Sequence, residues 1–271
     1  MKRLVIYPTF LCPFACAFCA TKNKNSLNEM LDVTLMKHRV SEVADYISEI
    51  VISGGEPMSW NKSYFNLIID SLKPFDKKIT VESYPYTLEN YRDDIEYNFS
   101  YDFMIRPRAM ETWENLLRIK NPFNLTITIS PMLFKLYPNA ILYKLTLLKN
   151  LKEVEFIPYY KNEVSQFDIT KNETLVKFNK ILLSNKLNLP YTLKNKTNLV
   201  NKMLGEYNCE ADICLMPNGD LKIKNFDKNG IMRFEDLDNQ SLTTPVSLNY
   251  PEEIDLYNDE IVKWAKENAV I

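Results

Sequence analysis

Residues 3–19 read RLVIYPTFLCPFACAFC, and the change of character within that stretch organises the rest of the chain. Arg3 to Tyr7 is a short apolar run with β-branched residues, which predicts a strand. Pro13 then argues against a helix through the first cysteine, so Cys12, Cys16 and Cys19 fall on a loop directly after that strand. Three thiols this close can converge on one metal centre. Zinc is one reading, but it closes with four ligands, and only the distant Cys209 or Cys214 could complete the set. An iron-sulfur cube with one iron left open suits three thiolates without a fourth.

The 271 residues are enough for one barrel-sized domain or two smaller ones. A single histidine, His38, excludes a multi-histidine metal site. It stands beside Lys37 and Arg39, off the apolar stripe of Met36, Val40 and Val43, which predicts an exposed helix position. With 33 basic and 35 acidic residues the chain carries no overall electrostatic footprint for nucleic acid. Charge is uneven locally. Seven lysines face one acid between Ile169 and Leu204, whereas fourteen acids oppose six bases from Gly205 onward. A solvated face explains such runs; an anionic partner for the lysines is the alternative. Lys2 and Arg3 ahead of an apolar run mimic a secretory leader, but Pro8, Pro13 and three cysteines do not belong in one. No later stretch approaches the ~20 apolar residues of a membrane span. The expectation is a cytoplasmic protein whose cysteines are thiolates.

Strand-like runs continue at Glu49 to Ser53, Lys78 to Tyr84, Tyr101 to Arg106, Asn124 to Ser130 and Glu153 to Pro158. Helical periodicity lies between them: Met36, Val40, Val43 and Ile47 share a stripe, and Tyr64 to Leu72 and Ala140 to Leu148 look similar. Six apolar strands alternating with helices predict an α/β protein with a buried parallel sheet. After Asn162 the pattern changes. A lysine-rich helix is expected over about Thr170 to Asn185, then no clear strand to Asn208. A hairpin follows from Ile213 to Ile223 around Pro217-Asn218-Gly219-Asp220, then a strand at Ile231 to Phe234. A last helix from Pro251 presents Ile254, Tyr257, Ile261 and Trp264 on one face. This divides the chain into residues 1–165 and a smaller α+β extension, 166–271.

Ser53-Gly54-Gly55-Glu56-Pro57 follows the second strand. Paired glycines let a ligand approach the backbone closely, and Glu56 is a carboxylate suited to an ammonium group, although a glycine pair after a strand is usually just a turn.

These two elements together resemble the radical S-adenosylmethionine superfamily. The resemblance rests on the C-x-x-x-C-x-x-C motif, with Phe18 before the last cysteine, and on the Gly-Gly-Glu-Pro element one βα unit later. It covers roughly Met1 to Asn162 and implies a partial (β/α)6 TIM-like barrel. It further implies that Cys12, Cys16 and Cys19 hold a 4Fe-4S cluster whose open iron binds S-adenosylmethionine. Ser53, Gly54, Gly55 and Glu56 would hold the ammonium end, with Phe18 near the adenine. Reductive cleavage would give a 5′-deoxyadenosyl radical that abstracts hydrogen from substrate, with electrons from a donor such as flavodoxin or ferredoxin. Arg106 or Ser130 could contact the carboxylate or ribose. Glu82, Arg106 and Tyr159 are the candidates for catalysis at the strand ends, with Tyr84, Arg108 and Lys161 as further polar residues there. Family members often carry Thr-Asn-Gly at the third strand, where this chain has Glu82-Ser83-Tyr84.

The extension resembles, in degenerate form, the SPASM/twitch regions that bind auxiliary clusters through a C-x(9–15)-G-x4-C pattern. Cys209 and Gly219 match its first half, but Lys224 stands where the second cysteine belongs. The leading substrate is therefore a peptide or protein side chain. A nucleotide or nucleic acid is the alternative within the class, and a zinc-binding module without catalysis the alternative outside it.

Overall fold

In the computed structural model the described residues are 2–16, 19, 29–103, 106–130, 133, 136, 138–158, 172–204, 211–226, 232–243 and 259–268. Phe18, Tyr159, Lys161, Cys209, Pro251, Ile254 and Tyr257 lie outside them. The strands are β1 (Lys2–Ile6), β2 (Ile47–Ile52), β3 (Lys78–Ser83), β4 (Glu96–Ser100), β5 (Phe123–Ile129), β6 (Leu151–Pro158), β7 (Thr192–Leu193), β8 (Ile213–Leu215), β9 (Leu221–Phe226) and β10 (Met232–Asp236). The α-helices are α1 (Val33–Val43), α2 (Lys62–Leu72), α3 (Ala109–Arg118), α4 (Pro138–Leu145), α5 (Asn172–Leu183), α6 (Lys194–Leu204), α7 (Asn239–Thr243) and α8 (Asp259–Glu267).

Among the described residues one sheet runs in the order β10-β9-β8-β1-β2-β3-β4-β5-β6-β7. From β8 to β7 every neighbouring pair is parallel, and only the β8-β9 and β9-β10 pairs are antiparallel. The six strands β1 to β6 thus lie side by side in chain order, and β1 and β6 are not paired with each other. This is the expected partial barrel.

The two faces of the sheet differ, because successive side chains of a strand point to opposite sides. Leu4, Ile6, Ile50, Ile52, Val81, Phe99, Leu125, Ile127, Val154 and Phe156 join one core with Met36, Val40 and Val43 of α1 and Phe65, Ile68 and Leu72 of α2. The opposite face carries a small apolar cluster at one side, Val5, Tyr7, Phe10, Val51, Cys214 and Met216. Further along it is polar. Ser53 donates to Glu82 at 2.9 Å, Thr80 to Glu49 at 2.6 Å and Thr126 to Asn98 at 3.0 Å. The strands were expected to be apolar on both faces. Instead β5 alternates strictly, with Asn124, Thr126 and Thr128 half-buried between fully buried neighbours.

Several boundaries also differ from the sequence reading. The fourth strand is Glu96–Ser100, one segment earlier than Tyr101 to Arg106. Tyr101 still bonds to Thr126, but the fully buried Asp102 side chain then takes the Thr128 N–H at 3.1 Å, so a carboxylate replaces the main chain and the ladder ends. Ile47 belongs to β2, since α1 stops at Val43. The stretch after Pro190, expected to hold no clear strand up to Asn208, forms the two-residue β7 and the three turns of α6. The hairpin, the strand after it and the exposed His38 are found as expected. No helix among the described residues is long and apolar enough to cross a membrane.

Candidate functional site

The cysteine loop leaves the carboxyl end of β1 and is fastened at its base by main-chain bonds. Gly55 N–H donates to Thr9 at 3.0 Å and Glu56 N–H to the Leu11 carbonyl at 3.1 Å. Trp60 Nε1 reaches the same Leu11 carbonyl at 3.4 Å, and Leu31 N–H closes on Pro8 at 2.8 Å. The glycines make this docking feasible. Gly54 has φ +114°, a conformation that side chains disfavour, and a Cβ there would come within 2.6 Å of the Thr9 carbonyl. A Cβ on Gly55 would overlap the Leu11 carbonyl outright. The group that approaches the paired glycines so closely is the cysteine loop itself.

Beyond that clasp Cys12, Cys16 and Cys19 are half-buried. Cys19 N–H bonds to the Cys16 carbonyl at 3.2 Å, a tight turn that returns the third thiol toward the second. Burial pushes the Cys12 thiol up to about 11, and the charges of Glu56, Cys16 and Cys19 push the same way. Burial likewise raises Cys16, against the opposing pull of Arg106. Cys12 and Cys16, whose ionisation is opposed by burial and by neighbouring negative charge, are donors that a bound cation would relieve. Among the described residues no three His, Cys, Asp or Glu side chains gather tightly enough for a single metal ion. Cys214 is not at this loop. It is fully buried on the inner face beside Tyr7, where burial pushes its thiol up to about 12.

Phe14 anchors the loop laterally, its ring edge-on to Tyr84 at 5.5 Å and to Tyr86 at 4.8 Å. Glu56, only 3% exposed, turns its carboxylate into the protein. It accepts from Met58 N–H at 3.1 Å, Tyr84 N–H at 2.9 Å and the Ser83 hydroxyl. Burial lifts this carboxyl to about 7 in spite of those three donors. The carboxylate read from sequence as a partner for an ammonium thus ties the glycine turn to the end of β3, because buried polar atoms need partners wherever they lie.

Of the other candidates, Ser53 and Glu82 are joined to each other on the inner face. Ser130 is buried at the end of β5, and its hydroxyl accepts from Leu133 N–H at 3.2 Å. Arg106 comes to the cysteine loop: its guanidinium lies 4.8 Å from the Tyr84 ring centre, and Cys16 is among the charges that act on it. Arg108 stacks on Tyr86 at 5.0 Å with its side chain largely exposed. Sequence reasoning missed Asp102, which lies 2.5 Å from Arg106 Nε. The available signal was an acid in the apolar run Tyr101-Asp102-Phe103-Met104-Ile105, where a buried charge demands a cation.

The extension contributes a second buried polar group. Arg3 grips Asp212 through Nε at 2.9 Å and a second nitrogen at 3.0 Å, and Lys224 meets the same carboxylate. Lys224, at the position where the auxiliary-cluster pattern calls for cysteine, is therefore an ion-pair partner.

Comparison with known proteins bears on the same regions. Residues 2–114 match the family model described as 4Fe-4S single cluster domain. A search of the curated proteins found no match. Among solved structures, native anSMEcpe with bound AdoMet is 14% identical, with a TM-score of 0.66 over 90% of this chain and 80% of that one. Native anSMEcpe with AdoMet and the Cp18Cys peptide gives 15% and 0.65 over 89% of this chain and 79% of that one. Streptococcus suis SuiB bound to precursor peptide SuiA is 15% identical, with a TM-score of 0.58 over 97% of this chain and 66% of that one. The chain thus shares its fold with these structures, a partial barrel of the kind that the resemblance of the two sequence motifs implied.

Proposed function

We propose that the chain is a radical S-adenosylmethionine enzyme acting on a peptide or protein side chain. The observation that carries this reading is the clasp: three cysteines on one loop, fastened by main-chain bonds to the Gly54-Gly55 turn. In this reading Cys12, Cys16 and Cys19 ligate a 4Fe-4S cluster. Ser53, Gly54 and Gly55 hold the ammonium end of S-adenosylmethionine, Phe18 lies by its adenine, and Ser130 serves its ribose or carboxylate. Glu56 keeps the turn in place: its carboxylate takes Met58, Ser83 and Tyr84 and its carbonyl takes Ser59, which leaves the ammonium to its neighbours in the turn. The cofactors supply one-electron cleavage of the sulfonium and a carbon radical that takes hydrogen from substrate.

Residues 1–165 would carry this chemistry, and residues 166–271 would form the smaller extension. Glu82 and Tyr159 would be the residues that meet substrate, and Glu82 already has a hydrogen-bonding neighbour in Ser53 at the edge of the glycine turn. A cytoplasmic flavodoxin or ferredoxin would supply electrons. The peptide assignment draws on the two relatives solved with peptides, Cp18Cys and SuiA.

The test is anaerobic reconstitution with iron and sulfide, followed by dithionite and S-adenosylmethionine. The expected result is a brown protein with about four irons that forms 5′-deoxyadenosine. Cys16→Ala should lose both colour and cleavage. Stoichiometric zinc without cleavage would overturn the reading, and retention of both properties by Cys16→Ala would overturn the ligand assignment.

A further inference from the structure

We infer that Arg106 is a positioning residue for electron transfer, a cation locked in place beside the cysteine loop that favours the reduced state of a cluster held there. The inference rests on the reading of Cys12, Cys16 and Cys19 as cluster ligands. Its footing is the way the side chain is held. Arg106 is 18% exposed and lies 2.5 Å from Asp102, which is fully buried. The other Asp102 oxygen is occupied by the Thr128 N–H, so the carboxylate cannot swing away. The guanidinium packs over the Tyr84 ring at 4.8 Å. Tyr84 is itself fixed at three points: its hydroxyl on the Pro107 carbonyl at 3.0 Å, its N–H on Glu56, and its ring against Phe14. Phe14 lies between Cys12 and Cys16 in the loop. The cation therefore has one orientation, and that orientation is built on the loop.

The charge balance gives the arrangement its effect. Burial works against the charge of Arg106, yet Asp102, Cys16, Glu56 and Tyr84 in that order hold its proton more firmly than usual. As cluster ligands the three cysteines would be thiolates close to two buried carboxyl groups, Asp102 and Glu56, and reduction would add one more negative charge. In a medium of low polarity a fixed cation offsets that added charge strongly. Arginine suits the place better than lysine: it keeps its proton, stacks on an aromatic ring and presents a planar edge to a carboxylate.

The experiment is a redox titration of the reconstituted full chain without S-adenosylmethionine, poised with dithionite and mediators and followed by the electron paramagnetic resonance of the reduced cluster. Arg106→Gln should move the midpoint to more negative potential and Asp102→Asn to more positive potential. The double variant should fall between them, and Arg106→Lys should stay closer to wild type than Arg106→Gln. A packing role would not give shifts of opposite sign. Midpoints of Arg106→Gln and Asp102→Asn that equal wild type at equal iron content, or that move in the same direction, overturn the inference. If Arg106→Gln does not fold, Arg106→Met is titrated in its place, with the same supporting and overturning results. A wild-type chain that takes up no iron and sulfide instead overturns the reading of the loop on which the inference depends.

Discussion

The two edges of the barrel sheet face the same problem and solve it with different material. β1 and β6 each present a row of main-chain donors and acceptors that a closed barrel would have paired. On the β1 side the chain returns to supply strands. β8 lies parallel to β1, with Leu4, Val5 and Ile6 opposite Ile213, Cys214 and Leu215, and β9 and β10 follow as antiparallel strands. On the β6 side β7 covers only Glu153 and Val154. The next position, Phe156, is satisfied by a side chain. Asn195 accepts its N–H and donates to its carbonyl, both at 2.8 Å, from full burial at the start of α6. An amide side chain carries the same donor and acceptor as a peptide group, so one residue can stand in for the next rung. The difference teaches that the edge beside the cysteine loop is covered by backbone over a long front, whereas the far edge is finished at a single point.

That contrast can be broken at its ionic joint. The hairpin is joined to β1 by Arg3, Asp212 and Lys224 as well as by main-chain bonds. Asp212→Ala would leave two cations facing each other with one of them largely buried. The expected cost is about 3 kcal/mol in urea unfolding, toward the low end for a buried pair because Arg3 is half-exposed. A cost under about 1 kcal/mol would show that the strands alone join the hairpin. Burial acts to raise the Asp212 carboxyl, but Lys224 and Arg3 outweigh it and hold it below its ordinary value. The contribution should therefore be complete above about pH 4 and be lost as the pH falls through the folded-state value. The stability gap between wild type and Asp212→Asn should stay level from pH 7 to pH 5 and narrow in stronger acid.

The far edge should yield to a smaller blow. Asn195→Ala strands both main-chain groups of Phe156, at an expected cost of about 2 kcal/mol. Amide hydrogen exchange should quicken at Phe156 while the β1 amides keep their protection. Equal loss at both edges would mean that the sheet opens as one unit. The smallest effect is expected at the exposed Lys180–Glu260 pair between α5 and α8, where Glu260→Gln should change stability by less than about 1 kcal/mol.

Much of this architecture is legible in the sequence where local chemistry is decisive. Pro8 and Pro13 keep the cysteines off a helix, Gly219 marks the hairpin, and the Met36, Val40, Val43 stripe gives α1 its buried face. What escaped the reading depends on partners distant in the chain. The fourth strand was displaced because Tyr101 and Phe103 look like strand residues, while the choice of register belongs to Asp102 and its contact with Thr128. α6 was missed because polar residues occupy most of it, and its buried Asn195 has value only once Phe156 lies beside it. Glu56 was read as facing a ligand, since nothing local shows that Ser83 and Tyr84 come to meet it.

The overlap between a side chain at Gly55 and the Leu11 carbonyl has a consequence for how variation in this protein is to be interpreted. Position 55 is remote from the cysteines along the chain, yet any larger residue there would lift the threshold of their loop off β2. Damage at that position should surface as lost iron with the helices and the rest of the sheet intact. The second turn is in effect the floor on which the first one stands.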